Sequence, residues 1–131
     1  MDDEIFSISK NKTRAKSLIE MAQERLDDIK TESKVYKIIE EYYEIIKELI
    51  TATMYLDGFK TLSHKKLVDY LAENYKEFNK SEIILIDELR RLRNNIVYYG
   101  HKVNKEFLIN HEDRINNIIQ KLMVLAKKKA M

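Results

Sequence analysis

The residues best suited to chemistry lie in the stretch 90–105, which contains no acidic side chain. In this stretch Arg90, Arg93 and Lys102 can neutralise phosphate, and Tyr98 offers a flat ring on which a base can stack. This interleaving of cations and aromatic residues is typical of surfaces that bind nucleic acid. A solvated helix face can have the same composition, so the charge pattern alone leaves both interpretations open.

Arg93 differs from the other arginines of this stretch. Helical spacing places it beside Leu92 and Ile96, at the border of an apolar stripe. An arginine at that border needs a partner, which can be a carboxylate of another helix or an anion held in a groove. Asn94 follows directly; it is a poor residue for the middle of a helix, but it offers both a donor and an acceptor.

Other classes of chemistry lack the residues that they need. The chain has no cysteine, so thiolate nucleophiles, thiolate metal ligands and disulfides are excluded. Gly58 and Gly100 are too few for a glycine-rich phosphate loop. The histidines are dispersed without metal-ligand spacing, so no metal or cofactor is predicted. We expect His64 to lie at a helix start, His101 in an exposed loop and His111 on a helix surface.

The composition predicts one all-α domain over residues 1–131. With 44% apolar residues, the chain can build one core, and the absence of proline and near absence of glycine disfavour the turns of a β fold. A net charge of +2 excludes a general polyelectrolyte and leaves only a local site for nucleic acid. The acidic start and the lack of a long apolar run predict a soluble, cytoplasmic protein without membrane contact.

Apolar residues repeat at three- and four-residue steps in five segments, the first over 10–30, the second ending near 56 and the fourth ending near 99. Predicted helix starts carry capping side chains: Thr31 and Ser33, then Ser63, then Asn79 with Glu82, then Asn104. Predicted ends precede Gly58 and Gly100, which can adopt the left-handed conformation. Short connections favour an up-and-down antiparallel four-helix bundle with an additional short helix.

The stretch 88–100 reads ELRRLRNNIVYYG and resembles the signature helix of the HEPN superfamily of small helical-bundle domains. The family motif is an arginine, often followed by asparagine, and then a histidine after four to six residues. Arg93 and Asn94 match its first half. The segment Glu24-Arg25-Leu26, the aromatic second helix and the turn before Gly58 also resemble these domains, so the resemblance covers roughly residues 10–125.

The second half of the motif departs from the family pattern. Tyr98 stands after four intervening residues, whereas His101 comes only after seven. For ribonucleases of the superfamily the resemblance implies metal-independent cleavage, in which histidine moves the proton of an RNA 2′-hydroxyl and arginine binds the scissile phosphate at a dimer interface. A tyrosine that titrates near pH ~10 is a poor base at neutral pH. We therefore expect Tyr98 to orient a nucleotide, and His101 to act only if the turn folds it beside Arg93.

Three functions are compatible with these residues. The first is a HEPN-like homodimer that binds RNA or a nucleotide around Arg93 and Asn94, with Tyr98, Arg90 and Lys102 as further contacts. It would be a metal-independent endoribonuclease of reduced activity, with Arg93 and His101 as catalytic residues. The second is a non-catalytic interaction module, for example the partner of a minimal nucleotidyltransferase in a toxin–antitoxin pair. The third is a structural bundle in which Arg93 belongs to an internal ion pair.

Overall fold

The computed structural model describes residues 4–131, and the rest of the acidic start, residues 1–3, lies outside the described part. The described residues form two short strands and five helices in the order β1 (Ile5–Ser7), α1 (Lys12–Ile29), α2 (Val35–Asp57), β2 (Phe59–Thr61), α3 (His64–Asn74), α4 (Lys80–Tyr99) and α5 (Glu106–Lys129). The predominantly helical class is confirmed. None of these helices is long and apolar enough to cross a membrane.

Helix α2 is the central element, because α1, α3, α4 and α5 all pack against it. Its residues Ile39, Ile46 and Leu49 are completely inaccessible to solvent and belong to one continuous apolar cluster. Burying each such side chain contributes about 1.5–3 kcal/mol relative to leaving it in water. The aromatic and aliphatic residues that the sequence pattern assigns to one helix face therefore anchor all of the neighbouring helices.

Polar contacts show how the helices run along α2. The amide of Asn11, just before α1, donates to the carbonyl oxygen of Tyr55 at 3.1 Å, so α1 begins where α2 ends. The Tyr42 hydroxyl donates to the Glu112 carboxylate at 2.6 Å near the starts of α2 and α5. Near their ends, Lys129 lies 2.8 Å from Asp57. Helix α1 is therefore antiparallel to α2, and α5 is parallel to it.

Most predicted helix boundaries are confirmed by local geometry. The Ser63 hydroxyl accepts from the amide of Lys66 at 3.2 Å, and Asn79 and Glu82 make both hydrogen bonds of a capping box at the start of α4. Gly58 and Gly100 close α2 and α4 with φ of +91° and +65°. These boundaries depend on residues close in sequence, so the sequence pattern predicts them well.

Two predicted helix starts are corrected. Neither Thr31 nor Ser33 caps α2, whose preceding residue Lys34 has no side-chain cap. The Glu32 carboxylate accepts instead from the amides of Ser33 and Lys34, at 2.9 and 3.0 Å. Helix α5 begins at Glu106, so Lys105 occupies the N-cap position and Asn104 lies one residue before it. The Asn104 side chain accepts from the Glu106 amide at 3.1 Å.

The sequence pattern did not predict the two-stranded antiparallel sheet. Strand β1 pairs with β2 in a register that sets Ile5 opposite Thr61 and Ser7 opposite Phe59. No hairpin turn joins the strands, because α1 and α2 lie between them in the chain. The turn residues by which a hairpin is recognised are therefore absent.

We expect Gly58→Ala to destabilise the protein more than Gly100→Ala. Both positions have positive φ, which costs a residue with a Cβ about 1–2 kcal/mol. A Cβ at Gly58 would also lie 3.1 Å from the carbonyl oxygen of Ile8, whereas at Gly100 it meets nothing within 4 Å. Urea unfolding of the two variants measures the difference. Equal losses of unfolding free energy would show that the contact with Ile8 has no effect.

We expect Asp57→Asn to make unfolding less dependent on acid pH. Burial opposes ionisation of Asp57, but hydrogen bonds from Lys129, Tyr70 and Tyr75 outweigh it and hold the pKa of this carboxyl below its ordinary value. A carboxyl with a depressed pKa stabilises the fold at neutral pH, and this contribution is lost as the pH falls below about 4. The stability difference between wild type and variant should therefore narrow between pH 7 and pH 3. A constant difference in thermal melts would contradict this assignment.

Candidate nucleic-acid interface between α2 and α4

Helices α2 and α4 run antiparallel and form a seam with two parts. The first part, here called the cationic cluster, consists of Tyr43, Glu44, Lys47, His64, Arg90 and Arg93. The second part, here called the apolar groove, is lined by Lys34, Val35, Tyr36, Glu40, Ile96, Val97, Gly100, His101, Lys102 and Val103. Glu40 and Glu44 are one turn apart on α2, and Arg93 and Val97 are one turn apart on α4. The two parts are therefore adjacent along the same pair of helices.

The cationic cluster is centred on the carboxylate of Glu44. Its Oε1 lies 3.2 Å from Nη2 of Arg93, and its Oε2 lies 2.8 Å from Nζ of Lys47. All three side chains are mostly buried, with exposed fractions of 16% for Arg93, 18% for Glu44 and 27% for Lys47. Burial opposes ionisation of Glu44, but Lys47 and Arg93 outweigh it and lower the pKa of this carboxyl.

Positive charge exceeds negative charge at this end of the seam. Arg90 and Arg91 share the carboxylate of Asp87, at 2.9 and 3.2 Å, just as Lys47 and Arg93 share Glu44. Within the cationic cluster, Lys47, Arg90 and Arg93 therefore face the carboxylates of Glu44 and Asp87, which leaves an excess of one positive charge. The Arg91 side chain is 72% exposed and lies outside the cluster. Arg93 also has donors to spare, since its other hydrogen bond within residues 4–131 is a 3.4 Å contact with the Asn94 side chain. The arrangement can accept an anion.

The Tyr43 ring contacts Arg93 of α4 and His64 of α3. Tyr43 is buried, and the Arg93 guanidinium carbon lies 5.8 Å from the centre of its ring. The His64 ring stacks on the same ring at 5.7 Å with an interplanar angle of 30°. Burial lowers the pKa of His64 below its ordinary value, and the charges of Lys47 and Arg93 lower it further. Both effects disfavour the protonated form of His64.

The apolar groove has a volume of about 750 Å³ and lies between the start of α2 and the turn after α4. Val35, Ile96 and Val103 supply its floor, and His101 and Lys102 stand at its exposed rim. The Gly100 cap turns the chain here, and the His101 amide donates back to the Asn95 carbonyl oxygen at 3.2 Å. A flat apolar group such as a nucleobase fits a groove of this composition.

The structure divides the residues predicted for one site between these two parts. Arg93 and Arg90 lie in the cationic cluster with Asn94 beside them, whereas His101 and Lys102 lie at the groove. Among residues 4–131 the side-chain hydrogen bonds of Arg93 go to Glu44 and Asn94, and the His101 ring lies 5.8 Å from that of Tyr99.

Tyr98, which was expected to orient a nucleotide, lies on the surface at the end of α4, as does its neighbour Tyr99. Tyr98 is 67% exposed, and Tyr99 is 72% exposed. Both rings are accessible to a ligand that crosses the end of α4.

Sequence reasoning missed the contribution of α2 and of His64 to this site. The helical stripe of α2 identifies Tyr43 as a core residue, and Glu44 and Lys47 flank that stripe one turn apart. This spacing was an available signal for the α2 half of the cluster. His64 is at the start of α3, as expected, but only the folded chain brings it onto Tyr43.

The prediction that His111 lies on the helix surface is wrong. The residue is half-buried, its ring lies 4.7 Å from that of Phe107, and its Nδ1 is buried without a partner among the described residues. Phe107 lies one turn before His111 on α5, and its ring packs against the imidazole. The charged residues around His111 in the sequence do not reveal this contact.

We expect Arg93→Ala to destabilise the fold less than Arg25→Ala. Arg25 Nε lies 3.0 Å from Glu48, which is 5% exposed and has no other ion-pair partner among the described residues. Removing Arg25 should therefore lower the free energy of unfolding by about 3–5 kcal/mol. Glu44 keeps Lys47 when Arg93 is removed, and the loss should be about 1–2 kcal/mol. Urea unfolding of both variants tests the order. An equally large loss for Arg93→Ala would assign this arginine a structural role.

Comparison with known proteins does not identify a family for this chain. No family model matches the chain, and neither a curated protein nor a solved structure matches it.

Proposed function

We propose that the chain is a cytoplasmic HEPN-type domain that binds RNA or a nucleotide along the seam between α2 and α4. In this proposal α1, α2, α4 and α5 are the helices of an up-and-down bundle, and α3 is the additional short helix. The observation that carries the proposal is that Lys47 and Arg93 share one carboxylate in a mostly buried position. An internal ion pair needs one cation for Glu44, and the second cation is what an anionic ligand would use.

The two parts of the seam match the two chemical parts of a nucleotide. A phosphate group can bind at the cationic cluster, where Arg93 presents a guanidinium fork suited to oxygen pairs. A base can occupy the apolar groove one turn away, with Lys102 at its rim and Tyr98 available for stacking. Because the sites are adjacent, one strand can contact both.

The proposed reaction is metal-independent cleavage of RNA. Arg93 would hold the scissile phosphate, and a histidine would accept the proton of the 2′-hydroxyl as its oxygen attacks phosphorus and the 5′-oxygen leaves. His101 is the histidine that the sequence motif suggests, and it lies in one chain at the groove and apart from Arg93. The resemblance to HEPN domains implies a homodimer, in which a second copy would complete the site.

The proposal predicts binding and cleavage of single-stranded RNA in EDTA, with products that end in 2′,3′-cyclic phosphate. Arg93→Ala should weaken binding about tenfold and reduce the slope of log affinity against log salt by about 0.7, the value for one lost phosphate contact. His101→Ala should abolish cleavage and leave phosphate binding in place. Fluorescence anisotropy and analysis of fragment ends provide the two measurements.

Arg91→Ala is the matched control for this experiment. Arg91 is on the same helix and also pairs with a carboxylate, but its side chain is 72% exposed and lines the surface between α3 and α4. It should leave RNA binding and the salt slope nearly unchanged. If Arg91→Ala and Arg93→Ala weaken binding equally, the interaction is with the general charge of α4 and the proposed site is wrong.

The exposed apolar residues at the end of α4 favour a second candidate, a non-catalytic interaction module. Val97 lines the groove and is 47% exposed, and Tyr98 and Tyr99 are exposed on the other sides of the same helix turn. A nucleotidyltransferase partner is the case that the family resemblance suggests. In this case the wild-type protein would not cleave RNA, and Tyr98→Ser would disrupt a complex with the partner protein without changing the melting temperature.

A further inference from the structure

His64 is the first residue of α3, but the start of this helix does not need its side chain, which lies in the cationic cluster. Ser63 caps the helix, and the imidazole stacks on Tyr43 instead of solvating the helix start. The side chain is half-buried, and its contact with Tyr43 is a ring stack, which uses neither ring nitrogen. A neutral imidazole has one N–H group, which can donate to a ligand, and one bare nitrogen, which can take up a proton.

The charged groups around His64 come from two other helices. Lys47 and Glu44 face it from α2, and Arg93 and Arg90 face it from α4. Both Lys47 and Arg93 pair with Glu44, so its one negative charge offsets only part of their positive charge. The imidazole is thus held among three cations and two carboxylates, Glu44 and the Asp87 that pairs with Arg90, on the ring of a buried tyrosine.

We propose that Lys47, Arg93 and His64 form a binding site for the phosphodiester group of a nucleic-acid strand, and that His64 takes up a proton when the phosphodiester binds. This inference rests on the proposed function for the class of ligand, and it adds two residues, Lys47 and His64, to the predicted site. An oxyanion between Lys47 and Arg93 would occupy their unused donors.

The linkage follows from electrostatics. A bound anion cancels part of the positive charge that disfavours the protonated imidazole, so protonation becomes easier when the site is occupied. Glu44 remains beside the site and repels a second negative charge. The site should therefore prefer a phosphodiester, which carries one negative charge, to a phosphate monoester dianion.

The test is an NMR titration of the His64 ring against pH, with and without thymidylyl-thymidine at equal ionic strength. This dinucleotide has one phosphodiester and no 2′-hydroxyl, so binding is measured without cleavage. The midpoint of His64 should rise by about half a unit or more when the dinucleotide is bound, the effect of one charge about 6 Å away in a largely aqueous setting. An unchanged midpoint at the highest soluble dinucleotide concentration would overturn the proposal.

Two variants make the assignment specific. Lys47→Met removes a cation but keeps most of the side-chain volume, so the midpoint of the free protein should rise and the response to dinucleotide should fall at least threefold. Arg91→Ala should leave both unchanged. Loss of the response in Arg91→Ala alone would overturn the site.

The two proposals fail separately. A normal His64 response without RNA cleavage would refute the nuclease and retain the phosphodiester site, whereas RNA cleavage without the His64 response would retain the nuclease and refute that site.

Discussion

A helix packed on several sides cannot leave its carboxylates unpaired, and this constraint on α2 organises the protein. Glu48 is 5% exposed on α2, and its partner is Arg25 of α1 at 3.0 Å. Glu44, one turn earlier, is paired with Arg93 of α4. Removing Arg25 would leave the charge of Glu48 unpaired in a poorly solvated position, whereas Glu44 would keep Lys47 if Arg93 were removed. The carboxylates of α2 therefore fix where α1 and α4 lie along it, in addition to the apolar contacts that hold them there.

The two sides of α2 balance their charges differently. On the α1 side, one arginine, Arg25, faces two carboxylates, Glu41 and Glu48. On the α4 side, two cations, Lys47 and Arg93, face one carboxylate, Glu44. A net charge of +2 for the whole chain conceals this separation. The excess of positive charge in a seam with limited access to water is what suits the α4 side to an anion, since opposite charges attract more strongly where water is partly excluded.

Side-chain spacing predicts the local structure of this protein better than its long-range contacts. The caps at Ser63 and Asn79 and the glycine ends are correct because each depends on residues within four positions of one another. The failure at Thr31 has a local cause, since Glu32 accepts from the amides of Ser33 and Lys34 that a cap at Thr31 would use. The sheet was missed because its strands are about 55 residues apart and pair without a hairpin.

The sequence by itself determined the helical class, most helix boundaries and the border position of Arg93, because periodicity and capping are properties of neighbouring residues. Only the tertiary structure decided which groups surround Arg93. It placed Glu44, Lys47 and His64 there, and it left His101 at the apolar groove. The direction of a chain after a helix cap and the packing of one helix on another depend on the whole core. His64, 29 positions before Arg93, therefore lies in its cluster, whereas His101, 8 positions after it, lies at the groove.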